Sequence, residues 1–423
     1  MRVSSRSLPP MLFAGWLAML CLPLLSVRDY WTFLDYRANK AGQAFQLAGL
    51  ASFGLLVVWS MWRGRGRKER LSDEGPAIVL LVCLFLWSLL STIWSINPAG
   101  TFAYSVVTYS ACAGVLLIAR TEATRGTDLF RYVPVMTIGF IFLAAVLLPF
   151  NGRTFGGIEP NVLGAITFCG LVLAQTYRPK LRWVVTSLFL VYLLVISSRT
   201  YFIVSVIFLL IHLAITCRPS RIARLVLPTA VAATVALLLI QFSASAPGEL
   251  SNSLVALTHL DDADRGIGSG FTGRADLWAQ GLQTATLSPW LGFGFRTRAD
   301  EFSLDALARS AHNGYLNLVL DIGVVGLALF LTTLLTATYL RWRRRRLLPG
   351  TCEQRKLDAI FLAVTPPMLL VLFFEPTHLN LGLPHNILFL FVLFHTSCEN
   401  RLGSEPNQAA ASAPSLAAIP AGE

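Results

Sequence analysis

Charge is what this sequence has least of. Only 13% of its 423 residues are Asp, Glu, Lys or Arg, about half the share of an ordinary soluble domain, which excludes a water-facing globular fold as the body of the chain. Cysteine is sparse too. The seven (Cys21, Cys83, Cys112, Cys169, Cys217, Cys352 and Cys398) fall within apolar runs or on the basic side of the topology drawn below, so no disulfide framework is implied and no spacing reads as a zinc site. No period argues for internal repeats. No small-x-small cleavage site follows the first apolar run before Arg28 and Asp29, so that run reads as a retained span. Acids are fewer than bases, 23 against 34. The basic excess sits beside apolar runs, where it reads as topology and contact with anionic membrane lipids; nucleic acid is not an expected partner.

What the chain has in abundance is hydrocarbon: 55% of residues are hydrophobic. They fall in runs long enough for a helix to cross roughly 30 Å of bilayer core. The spans read as Pro9–Val27, Phe45–Trp62, Pro76–Ser95, Thr101–Ala119, Tyr132–Leu148, Pro160–Thr176, Trp183–Ser197, Tyr201–Ile215, Leu225–Phe242, Tyr315–Leu340, Leu357–Phe374 and Pro384–Thr396. The expectation is an all-α polytopic membrane protein of about twelve helices with both termini on one side. Placing the N-terminus in the cytoplasm puts roughly two thirds of the Lys and Arg inside, in tracts such as "RGRGRKER" and "RWRRRR", as the positive-inside bias requires.

Connections are short except at two places. One is the basic "RWRRRRLLPGTCEQRK", read as a stop to translocation. The other, residues 243–313 between spans nine and ten, is an outer loop of about seventy residues. Inside it "SNSLVALTHL" and "GRADLWAQGLQTATL" have helical apolar spacing, "SPWLGFGF" reads as a turn, and a short helix is expected around "LDALARSA". Leu254, Leu257, Trp278 and Leu282 give the loop an apolar face to lay on the membrane surface. Residues 1–402 thus form one transmembrane domain, and the Ala/Pro/Ser-rich tail over 403–423 is expected to be disordered on the cytoplasmic side.

Few residues here can do chemistry. Between Trp183 and Thr216 only Arg199, His212 and some hydroxyls interrupt the apolar run. As one helix this stretch would be about 50 Å long, so it must reverse, and "SSRT" is where. Arg199 then stands at the outer membrane edge, either snorkelling to headgroups or gripping an anion with its fork of donors. Arg274 opens a helical stretch and either pairs with a loop acid such as Asp276 or meets the same anion. Arg296 and Arg298 follow a glycine-rich turn that can bring backbone amides near an anion. His312 and Asn313 stand where the loop joins span ten; such a histidine can accept a proton near neutral pH, or simply hydrogen-bond to backbone. Asp321 reads as a structural partner within the bundle, Gly323 and Gly326 as sites of close helix approach, and His212 as structural. Neither the acidic "DDAD" over 261–264 nor Glu375, His378 and His385 has a standard ligand spacing, so no metal is expected. Glu375 ends a span at the outer face, where an acid can position a cation or a sugar hydroxyl.

The ordered motifs "GIEPNVLG", "SSRT", "GRADLW", "SPWLGFGF" and "AHNGYLNLVLDIGVVGLALF" resemble those of the O-antigen ligase and polymerase superfamily over roughly residues 156–330. The resemblance implies a bacterial inner-membrane glycosyltransferase, inverting and without metal or cofactor, that works on the periplasmic side. It would move a glycan from undecaprenyl diphosphate to an acceptor sugar: the lipid A core in ligases, another lipid-linked repeat unit in exopolysaccharide or O-antigen polymerases. By motif, Arg199 and Arg274 would engage the donor diphosphate and His312 would be the catalytic histidine, with Asn161 and Glu375 as looser matches. A lipid-linked oligosaccharide flippase or an assembly scaffold is the rival. Transport paths place ionisable groups near the midplane, whereas the polar candidates here gather at one face.

Overall fold

The computed structural model describes residues 75–106, 108, 112, 129–148, 150, 160–196, 198–216, 274–297, 311–347 and 352–375. Among them no strand forms, and the regular structure is helical. The helices are α1 (Gly75–Leu90, continued by a 3-10 turn over Ser91–Ile93), α2 (Leu129–Leu147), α3 (Pro160–Ala174), α4 (Pro179–Val195), α5 (Arg199–Thr216), α6 (Arg274–Ala285), α7 (Gly314–Leu347) and α8 (Cys352–Phe374). The apolar runs make these helices because each closes its backbone hydrogen bonds internally, the condition for crossing hydrocarbon. Their polarity is set by neighbours. In α1, Leu81, Leu84, Phe85 and Ser88 are buried while Val79, Val82 and Leu86 are exposed, and an apolar side chain left outward in this way is what lipid accepts.

Among the described residues four helices are long and apolar enough to cross a membrane: Pro76–Ile93, Arg199–Thr216, Gly314–Leu347 and Arg355–Phe374, with Val133–Leu147 and Pro160–Ala174 as shorter apolar helices. They stand where the sequence placed spans. The expected spans Pro9–Val27, Phe45–Trp62, Leu225–Phe242 and Pro384–Thr396 lie outside the described residues, as do most of 243–313 and the tail 403–423. Boundaries differ from expectation most at three helices, and α8 starts at Cys352 rather than Leu357. Helix α4 starts at Pro179, because proline at the first helical position loses no needed donor. Helix α7 runs on to Leu347, because arginine is a good helix former and its charge suits the negative end of the helix dipole.

Helix α3 forms the centre and is buried almost throughout. Its turn into α4 is tied by Gln175 Nε2, which donates to Leu171 O at 3.1 Å and to Thr186 Oγ1 at 3.0 Å. The reversal from α4 to α5 occurs over 196–198, at the "SSRT" position. There the Ser198 amide donates to Leu193 O, and Ser198 O accepts from Phe202 N. Gly164 of α3 passes so close to this corner that a Cβ would overlap Ser198 Oγ and lie 2.8 Å from the Tyr201 ring.

Helix α7 is broken at Ile322 and Gly323, where Gly323 has φ 71°. The turn after α6 fills the break. Phe293 N donates to Leu320 O (2.8 Å), Gly294 N to Asp321 O (2.9 Å), and Val324 N to Pro289 O (2.8 Å). Trp87 Nε1 of α1 reaches Ile322 O at 2.9 Å. Carbonyls and amides freed by the break are therefore satisfied by tertiary partners, as buried backbone requires. A Cβ at Gly323 would overlap the Trp290 carbonyl. Gly323 thus admits a turn, and Gly326 makes room for the Ile322 side chain of its own helix; neither serves the close helix approach expected from sequence.

Arginines dominate the far end of α7. Arg344 pairs with Asp358, Arg345 donates to Ile215 O (2.8 Å) and Arg355 O (2.7 Å), and Arg341, fully buried, stacks 3.5 Å over the Phe361 ring. These contacts bind the ends of α5, α7 and α8 together. His212, also near this end, is buried with its ring stacked on Phe208, in keeping with a structural role.

Candidate active site

The opposite end of the bundle carries most of the candidate side chains. It starts from the junction "AHNGYLN". Asn313 caps α7: its Oδ1 accepts from Leu316 N at 3.0 Å, and its carbonyl accepts from Asn317 N at 2.9 Å. Such caps contribute about 1 kcal/mol. Just before the cap, His312 adopts φ 46°, a left-handed conformation that costs a non-glycine residue about 1–2 kcal/mol. The Asn317 side chain holds it there by accepting from Ala311 N through Oδ1 at 3.2 Å. The imidazole is part-exposed, with Nδ1 shielded from solvent.

Helix α8 brings the next group. Its last turn lies against the start of α7, with the Tyr315 hydroxyl donating to Leu369 O at 2.7 Å and the Tyr315 ring edge-on to Phe373 at 5.1 Å. A Cβ at Gly314 would overlap Leu372 and come within 3.2 Å of the Glu375 carbonyl. Glu375 is only 8% exposed, and its Oε1 accepts from Asn161 Nδ2 at 2.7 Å. A carboxylate at the C-terminus of its own helix faces an unfavourable dipole. Here the positive N-terminal end of α3, where Asn161 sits, offsets it. The pair that matched the resemblance least tightly is thus joined by one hydrogen bond across 214 positions.

Arg199 belongs to the same end. It is the first residue of α5 and follows Ser198, which abuts Gly164, one turn along α3 from Asn161. Through Gly314, Glu375, Asn161 and Gly164, a continuous run of contacts connects the His312 junction to the Arg199 corner. Helix α6 lies over this end as well. Gly281 seats it on α7, where a Cβ would stand 2.7 Å from Leu316 Cδ2 and 3.7 Å from the Ala311 side chain. Ala285, Ala311, Leu316 and Leu320 form a small separate core there, flanked by Trp278, Phe293 and Val319. Arg274 is the first residue of α6.

One expectation fails. The glycine-rich turn does not cradle an anion with its amides. Those of Gly292, Phe293, Gly294, Phe295 and Thr297 donate to Ser288 O, Leu320 O, Asp321 O, Ser91 Oγ and Gly294 O. The glycines are there for packing: Gly292 (φ 68°) faces the Asp321 and Gly323 backbone, and Gly294 (φ 110°) faces Ser95. Arg296 has φ 62° and places its guanidinium 4.9 Å from the Tyr104 ring centroid. Asp321 is buried and its carbonyl receives the Gly294 amide. Arg298, the acids at 261–264, His378 and His385 lie outside the described residues. Sequence reasoning missed Asn317 and Tyr315, although an Asn four residues after another in an otherwise apolar run was a visible sign of a capped start.

A guanidinium, an imidazole and a buried carboxylate with its amide partner therefore stand at one end of an apolar bundle. No curated protein matches the chain in sequence. The family model described as O-antigen ligase matches residues 184–331, from the first turns of α4 through α5 and α6 into α7. Over that stretch this integral membrane protein is similar to the O-antigen ligase family.

Proposed function

We propose that this protein is a membrane glycosyltransferase of ligase type. It transfers a glycan from undecaprenyl diphosphate to an acceptor sugar, the lipid A core, on the periplasmic face of the bacterial inner membrane. The observation that carries the reading is the gathering of His312, Glu375, Asn161 and Arg199 at the end of the bundle opposite the arginines of α7. By the positive-inside bias the arginine end is cytoplasmic and the gathered end external.

Rupture of the glycosyl–diphosphate bond puts negative charge on the departing phosphate. Arg199, with Arg274, stabilises that charge as a fixed cation at a low-dielectric boundary. His312 takes the proton of the incoming sugar hydroxyl as the new glycosidic bond forms at the anomeric carbon, and inversion follows from attack opposite the leaving group. Glu375, held by Asn161, orients the acceptor. None of these steps calls on a metal.

The test is a reaction with purified protein and the native lipid-linked glycan extracted from the producing cells, offered either lipid A core or a second lipid-linked repeat unit. Release of undecaprenyl diphosphate with glycan appearing on the core supports ligation. Elongation of the lipid-linked unit instead assigns the protein to polymerisation, and absence of either, with glycan moved intact across a vesicle membrane, replaces catalysis by flipping.

A further inference from the structure

We propose that Asn317 is a positioning residue for His312, an inference that rests on the reading of His312 as the proton acceptor. Asn317 is 2% exposed, inside the first turn of α7. It touches both flanks of His312 at once. Its Oδ1 accepts from the amide of Ala311, the residue before; its own amide donates to the carbonyl of Asn313, the residue after. The three consecutive residues are thereby closed into a loop on a single residue, by its side chain on one flank and its backbone amide on the other, and the middle one is His312 at φ 46°.

That conformation does not hold itself. A histidine with positive φ lies outside its preferred region, and such strain persists only where surrounding contacts over-determine it. Asn313 supplies one restraint as helix cap, but it acts only on the helix side. On the loop side the hydrogen bond from the Ala311 amide to Asn317 fixes the entering peptide. The Ala311 N–H belongs to the peptide that enters Ala311; without its hydrogen bond Ala311 is no longer anchored to the start of α7, and φ of His312 relaxes toward negative values, swinging the imidazole. Placement errors of about 1 Å are enough to cost about 100-fold in rate.

Asn317→Leu removes the acceptor at nearly constant size, and Asn317→Asp keeps an acceptor oxygen in place. In the lipid-linked glycan reaction, Asn317→Leu should lower kcat about 100-fold with KM for the donor changed less than about threefold, whereas Asn317→Asp should retain most of kcat. Folded protein is counted for each variant by monodisperse elution, so that rates are per folded molecule. Wild-type kcat for Asn317→Leu overturns the inference. So does an equal loss in both variants, or a loss wholly matched by loss of folded protein, since each of these marks a structural residue. His312→Ala is measured alongside: if it turns over like wild type, the proton-acceptor reading itself falls, and if it is inactive while Asn317→Leu is not, that reading stands and only the positioning role is lost.

Discussion

At the scale of single residues, the proposed function rests on groups whose geometry matters as much as their charge. Arg199 is the sharpest case. Lysine keeps the charge but loses the planar fork that grips two phosphate oxygens, so Arg199→Lys should lose at least about 100-fold in turnover while reaching the membrane in normal amount; full activity in a complementation assay rejects the phosphate-binding role. Asn161→Leu should leave the Glu375 carboxylate without the partner at 2.7 Å. That loss should cost about 1–3 kcal/mol, read as a lowered unfolding temperature in detergent. Sequence exposed these residues unevenly. Arg199 and His312 stand out because a lone cation or imidazole in an apolar run needs an explanation. The Asn161–Glu375 bond joins residues 214 positions apart, and no spacing rule reaches that far; only the family motif drew attention to the two. Asn317 was signalled only by its spacing, four residues after Asn313 in an otherwise apolar run, and that spacing does not reveal the contact with Ala311.

At the scale of elements, apolar run length located the long apolar helices among the described residues, and it failed where a helix changes course without changing composition. "NLVLDIGVVGLALF" is apolar on both sides of Gly323, so periodicity cannot show that the backbone breaks there and accepts the turn over 289–294. The expected nest of amides failed for a related reason. Glycines that leave amides open to an anion and glycines that let two backbones touch look alike in sequence, and only the partners distinguish them. Gly323→Ala meets both a positive φ and the Trp290 carbonyl. It should destabilise the protein by about 2 kcal/mol or more and raise protease sensitivity between α6 and α7; unchanged stability and digestion would show that the turn does not depend on the break. Gly281→Leu, at the seat of α6 on α7, should lower turnover more than stability, since it shifts the helix that begins with Arg274.

At the scale of the whole molecule, the two ends of the bundle differ in kind. One is built from arginines that cap helices and pair with Asp358, the other from an imidazole, a carboxylate with its carboxamide partner, and the arginine that opens α5. A cysteine in place of exposed Leu287 should react with a membrane-impermeant maleimide in right-side-out vesicles, and one in place of exposed Leu347 should react only after lysis; the reverse pattern would invert the orientation. The break in α7 fixes how high the chemistry stands. From Gly323 to Arg341 the helix rises about 27 Å at 1.5 Å per residue, close to the roughly 30 Å of a hydrocarbon core. The nine residues from Gly314 to the break add about 14 Å beyond it. On the proposed function, the histidine would then stand among headgroups and water, where a bulky hydrophilic sugar chain would approach sideways along the leaflet while only the greasy anchor of its donor stays immersed in oil.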